Sequence, residues 1–351
     1  MMYEILQFAP QYKDYLWGGR RLAGFGKELP PDGPVAESWE LSCQPNGLSI
    51  VEGGRYDGQR LDQLLLSDRS GWMGTDFAES ENFPLLVKFI DAEKDLSVQV
   101  HPDDEAARRL EDVPYGKNEI WYVVHAPGDA TLVAGLKPGT TPDQLAAAIA
   151  AGRCEDLLAR IPVKAGDVIN IPAGLVHAIT AGLIVYEVQQ SSDTTYRLYD
   201  YNRRGADGRL RPLHVEKGLE VIDFAPGDAP LRFDGLPNAV PSLSGDVSSR
   251  LLVLNRYISF AEIDLAGEAT WQADPRRFRI LTCLTGSVTL NGNVTVGRGR
   301  TVYLPAALPG LTLSGEGRLL VTWPGDPELR EELMESVGCE TLAAATALDP
   351  A

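Results

Sequence analysis

Apolar and polar residues alternate along several short stretches of the chain. The clearest runs from Ser97 to His101, where Val98 and Val100 separate Ser97, Gln99 and His101. An extended strand puts the three polar side chains on one face and the valines on the other. Other runs rich in Val, Ile, Leu and Thr are broken by Gly or Pro and predict further strands, among them 184–190 and three consecutive signals from about Arg250 onward, with Asn291-Gly292 as a hairpin turn. Helical periodicity is confined to short segments. These are LDQLLLSD, LHVEKGLEVIDF with Leu213, Leu219 and Val221 apolar, DPELREELMESVG, and TTPDQLAAAIAAGRCEDLLARI. In the last of them Thr141 is a cap, and Leu145, Ile149, Leu157 and Leu158 are the apolar positions of one or two helices outside the strands.

Hydrophobic periodicity lapses over 225–248, where Pro, Gly, Asp and Ser dominate. The pattern therefore predicts a mainly β chain in two units with a few short peripheral helices. Residues 1–235 hold the polar strand. Residues 236–330 form a smaller β unit with no histidine and no Glu/His pairing, and 331–351 form a tail, helical at first and loosely ordered over its last dozen residues.

Composition sharpens this picture. Thirty-five glycines and 24 prolines in 351 residues favour turns and closed sheets over helices, and the length suffices for two full cores. A net charge of −17 argues against nucleic acid or an anionic membrane as partner. Against that background one stretch stands out, carrying Arg197, Arg203, Arg204, Arg209 and Arg211. Four scattered cysteines without C-x-x-C spacing read as reduced thiols. The start MMYEILQFAP has no basic region followed by an apolar core, and no apolar run approaches the ~18 residues of a membrane span. A cytoplasmic protein acting on a small molecule is the expectation.

Gln99, His101 and Glu119 lie close in the chain, and His177 follows later. Imidazole, carboxylate and an amide oxygen suit a borderline divalent cation such as zinc, and cobalt and manganese fit the same set. A hydrogen-bonded polar strand explains the alternation without an ion, so the strand by itself leaves both readings open. Residues 166–177, GDVINIPAGLVH, place Gly166, Pro172, Gly174 and His177 at the spacing G-x5-P-x-G-x2-H. Physically this is a strand, a tight turn, and a second strand that opens by pointing an imidazole into a barrel mouth.

That spacing resembles the second motif of the cupin superfamily, although Ala181 stands where many cupins have Asn. Gln99-x-His101 with a distant Glu and a later His is similar to one branch of it, the type I mannose-6-phosphate isomerases in their short bacterial form. The segments that carry the resemblance are WGG (17–19), AESWELS (36–42), LLVKFIDAEKDLSVQVHPDD (85–104), GKNEIWYVV (116–124), PAGLVHAI (172–179) and YEVQQSSDTTYRLYDYNR (186–203).

The resemblance implies two cupin-like barrels of the double-stranded β-helix, or jelly-roll, type. It also implies a metal-dependent aldose–ketose isomerase that interconverts mannose 6-phosphate and fructose 6-phosphate through a cis-enediol. One Zn2+ per chain would be held by Gln99, His101, Glu119 and His177. Arg197 would stabilise the enediolate, oriented by Asp193, and Glu187 and Lys117 would transfer protons, with the base unassigned between them. Glu37 would lie near the sugar, and Ser97, Lys88 and Arg203 would bind its phosphate. Asn202 departs from the Asp of many short members.

Other residues read as structural. Arg204, Arg209 and Arg211 read as solvated charges, Tyr196, Tyr199 and Tyr201 as core or lining, and His214 as a helix cap. His125 is roughly 20 Å along the strand from Glu119 at ~3.3 Å per residue, too far to share an ion with it. Two rival functions remain at this stage: a cupin oxygenase using iron, and a non-catalytic sugar-phosphate-binding cupin that keeps the metal as a staple. The oligomeric state is left open.

Overall fold

Every strand pairing is antiparallel, and the strands form three sheets. The structure is a computed structural model, and it describes residues 2–205, 208–225 and 231–346. A six-stranded sheet runs in the order Val168–Ile171, Glu119–His125, Ile184–Gln190, Leu85–Asp91, Glu37–Leu41, Gln11–Lys13. Facing it, a five-stranded sheet runs Tyr196–Tyr199, Val98–Val100, His177–Ile179, Thr131–Leu136, Leu158–Pro162. The third sheet, of nine strands, contains the long C-terminal hairpins Leu243–Leu254, Ile258–Gln272, Arg279–Leu290 and Gly310–Pro324. The result is the mainly β, cupin-like architecture expected, with few and short helices.

Both faces of the six-stranded sheet are covered, and its central strands show why their sequences are apolar almost throughout. Leu85, Val87 and Phe89 point one way and join Phe260, Phe278 and Tyr303 in a core shared with the C-terminal half. Lys88 and Ile90 point the other way, toward the five-stranded sheet, where Ile90 packs with Trp17 and Trp121. Val98 and Val100 lie on the outer face of the five-stranded sheet, under Leu145 and Ile149 of the helix Pro142–Ala150. Thr141 caps that helix in a reciprocal capping box with Gln144.

Several expectations change. Leu158 begins a strand instead of closing a helix, because its backbone pairs with Leu136. Leu213 is exposed and precedes its helix, which spans Val215–Val221. The hairpin strand Leu243–Leu254 starts inside the stretch read as a break. Its first half is a solvent-exposed ribbon paired with 263–271, so its polar sequence hid it. Residues 340–345 are helical and anchored by the buried Leu342, whereas 226–230 and 347–351 lie outside the described residues. The sheets also cross the division drawn at 235/236, since Leu6–Ala9 and Ile50–Val51 extend the nine-stranded sheet. The four cysteines are free, and among the described residues no helix is long and apolar enough to cross a membrane.

Polar groups are buried where the halves meet. Tyr122 donates to Glu262 at 2.6 Å, and Tyr186 is bonded to Thr282, which is bonded to Thr301. Lys27 reaches Glu40 at 2.5 Å and also the carbonyl of Gly299, while Ser38 donates to the other Glu40 oxygen at 2.6 Å. Both charges are almost wholly withdrawn from water, so each depends on the other for compensation. Glu40→Ala is expected to cost about 3–5 kcal/mol by stranding the ammonium, and Lys27→Met with Glu40→Leu to cost clearly less. Urea unfolding of the three variants checks the order.

Candidate active site

The period of two along each strand assembles the site. On the six-stranded sheet Trp121, Glu187 and Lys88 are lateral neighbours across three strands. Glu119 stands two residues from Trp121 and so shares its face. On the facing sheet Gln99 is flanked by His177 on one side and Arg197 on the other. Between the walls lies a cavity of 290 Å³ lined among others by Glu37, Ser97, Lys117, Asp193 and Arg211.

Two imidazoles converge on the Glu119 carboxylate that lines it. The ligating atoms of His101, Glu119 and His177 all lie within 4.8 Å of one another. Nδ1 of His101 bonds the Thr194 carbonyl at 3.0 Å, and Nδ1 of His177 bonds the Leu175 carbonyl at 2.8 Å. A carbonyl only accepts, so both Nδ1 atoms carry the proton and both Nε2 atoms present lone pairs inward. His101 Nε2 faces Glu119 Oε1 at 3.1 Å, and the same oxygen is ion-paired with Lys117 at 2.7 Å. Two inward-facing imidazole lone pairs beside a buried carboxylate make a donor set whose chemistry fits a divalent cation. Gln99 lies beside His177 at 3.3 Å, and a half-turn of its amide would present the oxygen instead of the nitrogen.

Electrostatics shift the protonation of each of these groups. Burial, reinforced by the Lys117 charge, pushes His101 down to about 3, and burial lowers His177 too. Burial alone would raise the Glu119 carboxyl, but Lys117, at 2.7 Å, and the two imidazoles hold it well below the usual range. The indole N–H of Trp121 is shared between Glu119 at 3.0 Å and Glu187 at 2.8 Å. Glu187 behaves oppositely. Burial and the nearby Glu119 charge raise it to about 7, against the pull of Lys88 and Lys117.

Sequence profiles described as phosphomannose isomerase type I, catalytic domain, and mannose-6-phosphate isomerase, cupin domain, match residues 5–126 and 249–324. The mannose-6-phosphate isomerase ManA of Bacillus subtilis is 36% identical over 325 residues, covering 92% of this chain and 99% of that protein. The chain belongs to the type I phosphomannose isomerase family. The mannose-6-phosphate isomerase of Streptococcus mutans is 35% identical over 333 residues, covering 92% of this chain and 98% of that one. The crystal structure of the Bacillus subtilis mannose 6-phosphate isomerase matches with a TM-score of 0.83 at 32% identity, over 91% of this chain and 99% of that chain.

Most of the positions that resemble the isomerase family meet at this cavity, but three sit differently from expectation. Lys88 is engaged between Glu187 at 3.0 Å and Glu37 at 3.6 Å, on the opposite wall from Arg197. Asp193 accepts from Asn46 at 2.9 Å and not from Arg197, whose side chain donates instead to the Pro212 carbonyl at 2.9 Å. Arg203 bonds Asp200 and the Asp95 carbonyl and does not line the cavity. Arg211, read as a solvated charge, does line it, and so do Trp17 and Trp121. Trp121 was recoverable from its two-residue spacing to Glu119, whereas nothing in the Arg-dense stretch singles out Arg211.

His214 also exceeds its expected capping role. Its Nδ1 accepts from the Arg197 N–H at 3.1 Å, and its own N–H donates to the Arg197 carbonyl at 2.7 Å. His125 ends its strand exposed, away from the cluster.

Trp121→Phe keeps a ring against His177 but removes the N–H that orients Glu119. It is expected to weaken divalent-metal affinity by about 10–100-fold. Competition with a metal-binding dye measures this, with thermal unfolding as the control for fold.

Proposed function

We propose that the protein is a mannose-6-phosphate isomerase, interconverting mannose 6-phosphate and fructose 6-phosphate, cytoplasmic and carrying one zinc ion per chain. The observation that carries this reading is a buried carboxyl raised to about 7, Glu187, lining one small cavity with Glu119 and Arg197, with His101 and His177 clustered against Glu119. Gln99, His101, Glu119 and His177 would hold the ion, which when bound acts as a Lewis acid toward the sugar's carbonyl and hydroxyl oxygens.

The reaction moves one proton between adjacent carbons. Glu187 as carboxylate takes the proton from C2 of the open-chain aldose, and the electron pair left behind forms the C1–C2 double bond as charge moves to O1. A proton passes from O2 to O1, and Glu187 returns its own proton to C1, leaving the ketose with nothing gained or lost. A carboxyl titrating near 7 is matched to both halves of this exchange. Lys88, between Glu187 and Glu37, orients the carboxyl, and Lys117 supplies positive charge beside the ligand set. Arg197 offers a planar, permanently charged fork to the enediolate oxygens, and its Nε is buried without a partner among the described residues.

A coupled assay for fructose 6-phosphate is expected to show turnover that chelation abolishes and zinc restores, undiminished without oxygen. Oxygen dependence would instead indicate an oxygenase, and absence of turnover a binding protein. Glu187→Gln and Arg197→Ala are each expected to lower kcat by about 10²–10⁴-fold, with metal content and unfolding temperature close to those of the parent.

A further inference from the structure

The two walls of the cavity are charged differently. On the six-stranded wall Lys88 is matched by Glu187 and Glu37, and Lys117, beside it, by Glu119. On the other wall Arg197 and Arg211 face the same space, and the Arg211 charge adds to burial in lowering the pKa of Arg197. Arg211 is paired with Asp200, which lies outside the cavity lining and is shared with Arg203, and Asp193, which lines the cavity, accepts from Asn46. In a chain with a net charge of −17, two guanidinium groups turned into one polar cavity make a local positive wall that suits an anionic ligand.

The donors distinguish the two arginines that flank Asp200. Arg203 directs Nε and Nη2 to Asp200 and Nη1 to the carbonyl of Asp95. Arg211 commits one edge, with Nε at 2.7 Å and Nη2 at 2.5 Å from the two Asp200 oxygens. Its Nη1 has no acceptor among the described residues, and its side chain reaches the cavity. The segment 211–214 serves the site at three points. Arg211 lines it, the Pro212 carbonyl holds the Arg197 guanidinium, and His214 closes both backbone groups of Arg197.

We propose that Arg211, aimed by Asp200, grips the phosphate of the sugar phosphate, and that Arg203 braces Asp200 from behind without touching substrate. This rests on the sugar-phosphate reading above. A guanidinium held along one edge keeps its free edge in a single orientation, which suits a phosphate oxygen better than a mobile ammonium does.

Calorimetric titration with inorganic phosphate tests Arg211 whether or not the enzyme turns over, and turnover by the parent enzyme tests the isomerase reading separately. Arg211→Lys is expected to weaken phosphate binding and to raise KM for mannose 6-phosphate by about tenfold or more each, with kcat within about threefold. Arg203→Lys is expected to leave both within about twofold while lowering the unfolding temperature. Unchanged phosphate binding in Arg211→Lys, or an equal loss in Arg203→Lys, overturns the proposal. Should Arg211→Lys fail to fold, Asp200→Asn decides by the same titration: weakened binding supports the assignment and parent-like binding overturns it.

Discussion

A carboxylate withdrawn from water organises this molecule. Glu119 is almost wholly buried, and an ion in that position costs several kcal/mol unless its surroundings compensate it. Polar groups meet it from both directions. Lys117 and the Trp121 N–H lie on or beside its own sheet, and the imidazoles of His101 and His177 come from the facing one. Closing the two sheets and assembling the ligand set are therefore a single event. The ammonium and indole N–H of its own side stabilise the Glu119 charge, and the facing sheet brings the two imidazoles against it.

The six-stranded sheet carries this arrangement because it is buried on both sides. Its inner face presents Lys88, Glu187, Trp121 and Glu119 to the cavity, while Leu85, Val87 and Phe89 of its outer face sink into the core shared with the C-terminal half. This gives the second unit a mechanical role: it backs the sheet that carries Glu187 and Glu119. The buried Lys27–Glu40 pair and the Tyr186–Thr282–Thr301 chain add direction to a contact that apolar packing alone would leave free to slide.

Charge is divided between the two walls of the cavity. Carboxylates and matched ammonium groups occupy one wall, and the arginines occupy the opposite one. Because these groups are held by strand register and by Asp200, Pro212 and His214, little reorganisation is needed when charge develops.

The chain's own order of residues was enough to indicate most of the elements and to bring out the His/Glu/His cluster as a candidate site. The alternation around Gln99 and His101, the turn before His177 and the Asn291-Gly292 hairpin are local rules of backbone geometry, and each appears where the pattern places it. What failed was local reasoning about long side chains and edges. The exposed ribbon at 243–249 looked like a linker because a solvated strand needs no apolar alternation. Arg203 and Arg211 are indistinguishable in the one-dimensional record, since both are arginines in a polar loop near Asp200. Only the folded turn, with Tyr201 and Asn202 in left-handed backbone conformations, decides which guanidinium faces inward. Backbone direction is dictated by neighbours in sequence, but the destination of a flexible charged side chain is dictated by partners that meet it only after the sheets have closed.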